Sequence, residues 1–193
     1  MFPGTKRDDF RAVDIAILVV WLVFWTGWLV SAFSAKPTVR RRRGGRPVAL
    51  LIILAGDVVI HALRPGGPNG LLVQSPPVRG IGAALVISGL GTAVWARVIL
   101  GRNWGMPMTQ KDEPELVTAG PYGLIRHPIY TGLILATVGT ALAVSLAWLV
   151  VAAVMGGYFI YSATVEERTL TAQFPESYPR YRARTKMLIP FVL

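Results

Sequence analysis

Long apolar runs constrain this chain more than any other feature. Ala12–Phe33 is a 22-residue run broken only by Asp14 and a few small polar residues. At 1.5 Å per residue, a helix of that length covers roughly 33 Å, enough to cross a bilayer. Val48–Leu63 and Gly80–Leu100 are two further runs. Ile129–Ala163 is apolar for 35 residues, too long for one simple crossing. Gly139 and Ala143-Val144-Ser145 offer a turn inside it, so it reads as a helical hairpin. The expectation is an all-α polytopic membrane bundle of about five helices: 12–33, 48–63, 80–100, 128–142 and 147–174. All belong to a single domain over 1–193. Ser31-Ala32-Phe33-Ser34-Ala35 resembles a signal-peptidase site. The run before it is long for a signal sequence and a basic block follows at once, so the helix is read as retained.

Charge tests that layout. Lys and Arg number 20 against 10 Asp and Glu, a net charge of +10, and mean hydropathy is +0.50. In a soluble protein such basicity would suggest nucleic acid. In a membrane protein it reflects cytosolic loops and contact with anionic lipid. If the block Lys36, Arg40–Arg43 and Arg46 is cytosolic, five helices leave 15 basic residues inside and five outside. That asymmetry supports the helix count, with the N-terminus outside and the C-terminal tail in the cytosol. It also places the segments around Arg126, Glu166 and the tail in one aqueous compartment. Arg64–Arg79, rich in Gly, Pro and Asn, reads as an outer loop. Gly80, Gly82, Gly89 and Gly91, with Ala83 and Ala84, suit close helix approach. Trp21, Trp25 and Trp28 share a helix face and read as lipid or helix contacts. Asp57 and His61, four apart on one face, are either a functional intramembrane pair or a mutually satisfied one.

Chemistry concentrates at Gly120-Pro121-Tyr122-Gly123-Leu124-Ile125-Arg126-His127-Pro128-Ile129-Tyr130-Thr131-Gly132. Pro128 suits a first helical turn. Arg126 and His127 therefore sit at a helix mouth, whose unpaired N–H groups favour an anion. A hairpin brings the other end of its second helix, with Glu166 and Glu167, beside that mouth. The resulting set is acid, His, Tyr and Arg. A carboxylate suits an ammonium group, Arg or His suits a carboxylate, and aromatic faces suit a sulfonium methyl. S-adenosylmethionine carries all three features. The chain has two His and no Cys, which argues against a metal site, disulfides and thiol nucleophiles. It has no P-loop or dinucleotide-binding glycine motif.

Over about 95–190 the chain resembles the isoprenylcysteine carboxyl methyltransferase family, relatives of the phospholipid N-methyltransferases. The resemblance rests on Leu100-Gly101-Arg102-Asn103-Trp104, then Leu116-Val117 before Gly120-Pro121-Tyr122. It continues through Arg126-His127-Pro128-x-Tyr130-x-Gly132, Glu166-Glu167-x-x-Leu170 and Phe174-x-x-x-Tyr178-x-x-Tyr181. It implies a membrane bundle that binds S-adenosylmethionine at its cytosolic face. The cofactor-binding residues implied are Leu116, Val117, Gly120, Tyr122, His127, Pro128, Tyr130 and Glu167. It implies catalytic roles for Arg184 and Glu167, and a lipophilic acceptor, carboxylate-bearing as in isoprenylcysteine, near Trp104, Arg126, Tyr178 and Arg184. Partners are then a lipophilic or lipid-modified acceptor and membrane lipid, with no nucleic acid. Two other readings stay open. A reductase of the sterol type would bind NADPH through the basic tail. A non-enzymatic scaffold or transporter would use Asp57 and His61.

Overall fold

The computed structural model describes residues 5–33, 38–41, 73, 75–104, 109–111 and 115–190. The expected helix 48–63, with Asp57 and His61, lies outside the described residues. The described chain runs α1 (Thr5–Ala32), β1 (Thr38–Arg41), α2 (Pro76–Leu100), β2 (Thr109–Lys111), α3 (Pro128–Ala143), α4 (Trp148–Gln173) and α5 (Ser177–Arg184). Short 3-10 turns cover Gly101–Asn103 and Gly120–Gly123. Ala12–Ser31, Pro76–Asn103 and Trp148–Gln173 are long and apolar enough to cross a membrane. The protein is an all-α integral membrane bundle, with one small antiparallel ribbon, β1 against β2. That ribbon follows α1 on one side and α2 on the other.

Helix α3 has only 16 residues, about 24 Å by helical rise, short of a full crossing. It compensates by burial: most of its side chains lie against other helices. Apolar burial does not drive helices together in lipid, so close packing must. Gly82 and Gly89 on α2, two turns apart, meet Gly139 and Gly132 on α3, which runs antiparallel. A methyl added at Gly89 would lie 2.5 Å from the Gly132 carbonyl oxygen. One at Gly82 would lie 2.4 Å from the Ala143 nitrogen. The backbones therefore touch, and the buried Ala93, Ala96 and Ala136 extend the seam. Of the glycines expected to serve close approach, Gly80 and Gly91 meet nothing within 4 Å among the described residues.

Helix α1 runs parallel to α2. Asp14 pairs with Arg79 at one end, at 2.6 Å. At the other end Arg97 donates to the Ser31 carbonyl at 2.6 Å. Midway, the Trp21 indole N–H donates to Thr140 Oγ1 of α3 at 3.0 Å. Trp28 packs into the core, whereas Trp25 is exposed. Two boundaries differ from the sequence reading. α1 begins at Thr5, ahead of the apolar run. α2 begins at Pro76, because Ser75 and the Pro76-Pro77 pair start a helix well. Arg79, expected in an outer loop, is therefore a buried residue of α2 and also donates to the Val73 carbonyl at 3.2 Å.

Candidate active site

Antiparallel α3 and α4 bring the start of one beside the end of the other. At this corner Tyr130 stacks between His127 and Phe159, with ring centroids 5.4 and 4.3 Å apart. The Tyr130 hydroxyl donates to Glu166 Oε1 at 2.6 Å. His127 lies between two carboxylates. Its Nδ1 is 3.5 Å from Glu166 Oε2 and its Nε2 is 3.4 Å from Glu167 Oε1. The second contact is close enough for attraction but not aligned as a hydrogen bond, and among the described residues His127 Nε2 is buried without a hydrogen-bond partner. The Tyr178 hydroxyl nearby is likewise buried and unpartnered.

Glu167 is the more enclosed of the two acids, its side chain 5% exposed against 23% for Glu166. Arg126 Nε meets Glu167 Oε1 at 2.7 Å, and Arg182 Nε lies 3.4 Å from Oε2. The chain from α5 onward is stitched to the segment before α3. The Arg126 amide donates to the Lys186 carbonyl at 2.8 Å and the His127 amide to Met187 at 3.1 Å. The Lys186 amide donates back to Leu124 at 3.3 Å. Thr131 Oγ1 donates to the Leu188 carbonyl at 2.6 Å, and the Arg126 guanidinium donates to the Thr185 carbonyl. Tyr181 donates its hydroxyl to the Tyr122 carbonyl at 2.7 Å. Burial pushes the Tyr181 phenol up to about 12 and raises those of Tyr122 and Tyr178 further, so all three remain donors at neutral pH.

The residues singled out from the sequence divide into groups. His127, Tyr130 and Glu167 meet as described, with Pro128 fully buried at the first turn of α3. Tyr122 is buried beside them in the same core cluster, and Val117 packs against that cluster. Gly120 takes a positive φ of 58°, a conformation in which a side chain is strained; an added methyl would also crowd Ile99 at 3.1 Å. Arg126 is committed to Glu167 and the tail carbonyls. Tyr178 is buried on the inner face of α5. Trp104 packs on Arg97, 4.7 Å from the guanidinium carbon, and edge-on to Trp28 at 5.6 Å. It thus closes the ends of α1 and α2. Leu116 and Arg184 line an open cleft of about 750 Å³ with Thr118, Phe174, Arg180 and Tyr181. Ligand pockets commonly fall in that size range.

From the tail, Arg182 approaches Glu167, while Arg184 lines the cleft. Helical spacing held the signal: Tyr178, Tyr181 and Arg182 lie three and four apart on one face of α5, while Arg180 and Arg184 share another. Among the described residues no cluster of His, Cys, Asp and Glu has the makings of a metal site.

The phospholipid methyltransferase family profile matches residues 78–177, just over half of the chain, and the chain belongs to that family. It is 27% identical over 119 residues to protein-S-isoprenylcysteine O-methyltransferase B of Arabidopsis thaliana, covering 60% of each chain. It is 33% identical over 101 residues to protein-S-isoprenylcysteine O-methyltransferase of Schizosaccharomyces pombe, covering 50% of this chain and 43% of that one. To methanethiol S-methyltransferase of Crocosphaera subtropica it is 38% identical over 71 residues, 37% of this chain and 28% of the relative. The chain thus spans no more than 60% of the length of these relatives.

Proposed function

We propose that this chain is an S-adenosylmethionine-dependent methyltransferase of the membrane, acting on a lipophilic acceptor that bears a carboxylate. The observation that carries it is the corner where His127, Tyr130, Glu166 and Glu167 meet within hydrogen-bonding or stacking reach. Membership of a methyltransferase family supports the same reading. The donor set fits the cofactor. Glu166 and Glu167 suit an ammonium group, the unpartnered His127 Nε2 a polar group, and the Tyr130–Phe159 stack a sulfonium. Leu116, Val117, Gly120 and Tyr122 would flank it. The cofactor supplies a methyl group already activated by positive sulfur.

The protein's part is then to position and to exclude water, an effect that can reach roughly 7–11 kcal/mol. The tail stitched over His127 provides the exclusion. A carboxylate acceptor needs no base, and Arg184 in the cleft orients it. A thiol or amine acceptor would lose its proton to Glu166 or His127. In this reading the N-terminus is outside, and the corner and tail are cytosolic, in accord with the basic-residue asymmetry.

The test is incubation of membranes carrying the protein with methyl-labelled S-adenosylmethionine, followed by identification of the labelled lipid-soluble product. Calorimetry with S-adenosylhomocysteine should show binding that His127→Ala weakens strongly. Binding of NADPH in its place, or no labelled product, would overturn the proposal.

A further inference from the structure

We propose that Arg180 is a specificity-determining residue: with Arg184 it selects acceptors that carry a second acidic group beside the carboxylate to be methylated. The inference deepens the methyltransferase reading and rests on it for the role of acceptor, whereas the anion selectivity belongs to the cleft alone. Both arginines line the open cleft, together with Leu116, Thr118 and Ser177. Among the described residues its walls carry two cations and no acid. Ser177, Arg180 and Arg184 recur three and four residues apart, so they share one face of α5. Tyr178 and Arg182 occupy another face, where Tyr178 is buried and Arg182 approaches Glu167 Oε2 at 3.4 Å. The helix thus meets the acid pair with one side and leaves positive charge in excess on the other.

Among the described residues neither Arg180 nor Arg184 has a carboxylate within ion-pair distance, although Glu176 stands one turn before Arg180. Each alone would be an ordinary solvated cation. Together in one cleft they are more than one carboxylate needs. A single guanidinium grips a carboxylate with two parallel N–H donors, so Arg184 suffices for the group that receives the methyl. In the transfer a carboxylate oxygen takes the methyl, the sulfonium becomes a neutral thioether and no proton moves. The ester has lost its charge and its hold on Arg184. The second guanidinium, its Cβ about 5–6 Å away by helical spacing, fits a second acid at that separation. That acid keeps its charge throughout and gives Arg180 a partner before and after transfer. The cleft therefore favours a dianionic headgroup over a monoanionic one of the same size.

The experiment uses the full chain in nanodiscs of zwitterionic lipid, with empty nanodiscs as the blank. The probes are N-palmitoylglutamate and N-palmitoylglutamine, which match in length and differ by one negative charge. Calorimetry should show the glutamate compound binding about tenfold tighter at low salt, the scale of one charge-assisted hydrogen bond. High salt should shrink that preference, since the cleft is open to solvent. Arg180→Gln should bring the two affinities together. Arg180→Lys should restore part of the difference, because it keeps the charge and loses the planar fork. A purely structural role for Arg180 would weaken both probes alike and leave the preference standing, which overturns the proposal. Equal affinities in the wild type, or saturable binding of neither probe, overturn it as well. Should Arg180→Gln fail to fold, the wild-type comparison and its salt dependence decide: a preference that high salt leaves intact refutes a charge-based selection. If the preference holds and follows Arg180, yet labelled S-adenosylmethionine methylates neither probe nor any membrane lipid, the selectivity stands and the methyltransferase reading is the one that fails.

Discussion

Replacing Gly89 by Ala tests the physical basis of the bundle. The added methyl would stand 2.5 Å from the Gly132 oxygen, 2.6 Å from the Ala136 nitrogen and 3.1 Å from the Ala136 Cα. Ordinary contacts of carbon need about 3.5–4.0 Å. All three obstacles are backbone atoms, so no rotamer change relieves them and α2 and α3 must part by about 1 Å. Overpacking of this kind costs about 1–3 kcal/mol, and a backbone clash belongs near the upper end. Helix propensity returns up to about 1 kcal/mol for Gly→Ala. The net loss is then about 2 kcal/mol, which lowers Tm by roughly 4–8 °C in a protein of this size. Gly91→Ala is the control. Two residues along the same helix, its methyl would meet nothing within 4 Å among the described residues, so propensity alone should leave Tm equal or higher. Thermal unfolding in detergent, followed by tryptophan fluorescence, separates the two. Equal Tm values for Gly89→Ala and Gly91→Ala would refute the close-approach argument.

Other perturbations probe the remaining contacts. A double-mutant cycle of Trp21→Phe and Thr140→Val should return a coupling of about 0.6 kcal/mol, the usual scale for a hydrogen bond between membrane helices; zero coupling would deny the 3.0 Å bond. Asp14→Asn should cost only about 1 kcal/mol by chemical or thermal unfolding, because Asp14 is 43% exposed and its pair with Arg79 is screened. Arg126→Lys keeps the charge but loses the planar fork that reaches Glu167 and the tail together; labelled-methyl transfer should fall at least about tenfold, the scale of a lost charge-assisted hydrogen bond. An unfolded Tyr loses its proton near pH 10, whereas Tyr181 holds its own to about 12. The folded pKa is the raised one, so its contribution is intact below pH 10 and is lost between 10 and 12. Exchange of the Lys186 amide, corrected for intrinsic rate, should rise through that window in the wild type and show no such step in Tyr181→Phe.

Much of the architecture was readable because lipid imposes simple rules. A helix that crosses a bilayer must be long and apolar, so α1, α2 and α4 stood out, and the hairpin turn near Val144 followed from the excess length of one run. Pro128 opening α3 came from local chain chemistry. The misplaced start of α2 has a different origin: Pro76-Pro77 was read as loop punctuation, although the same residues start a helix well. Arg79 was consequently assigned to solvent, whereas in the fold it is buried and satisfied by Asp14, 65 residues earlier, and by the Val73 carbonyl. The seam of glycines was visible as composition, but nothing local distinguishes Gly89, which touches α3, from Gly91, which does not.

Residue types at the corner belong to the same division. Apolar length, the basic blocks and the ordered run from Gly120 to Gly132 were sufficient for an all-α membrane bundle with acid, His, Tyr and Arg at one end. These are properties of single segments, governed by burial in lipid, charge at its edge and helix-starting residues, and they need no knowledge of neighbours. The partners were decided by the tertiary structure: that Arg126 faces Glu167, that Arg182 rather than Arg184 approaches that acid, and that Trp104 serves Arg97. Each depends on the rotation of one helix about its axis relative to another. A one-dimensional pattern of residue types does not contain that rotation; between α2 and α3, backbone contact at glycines fixes it.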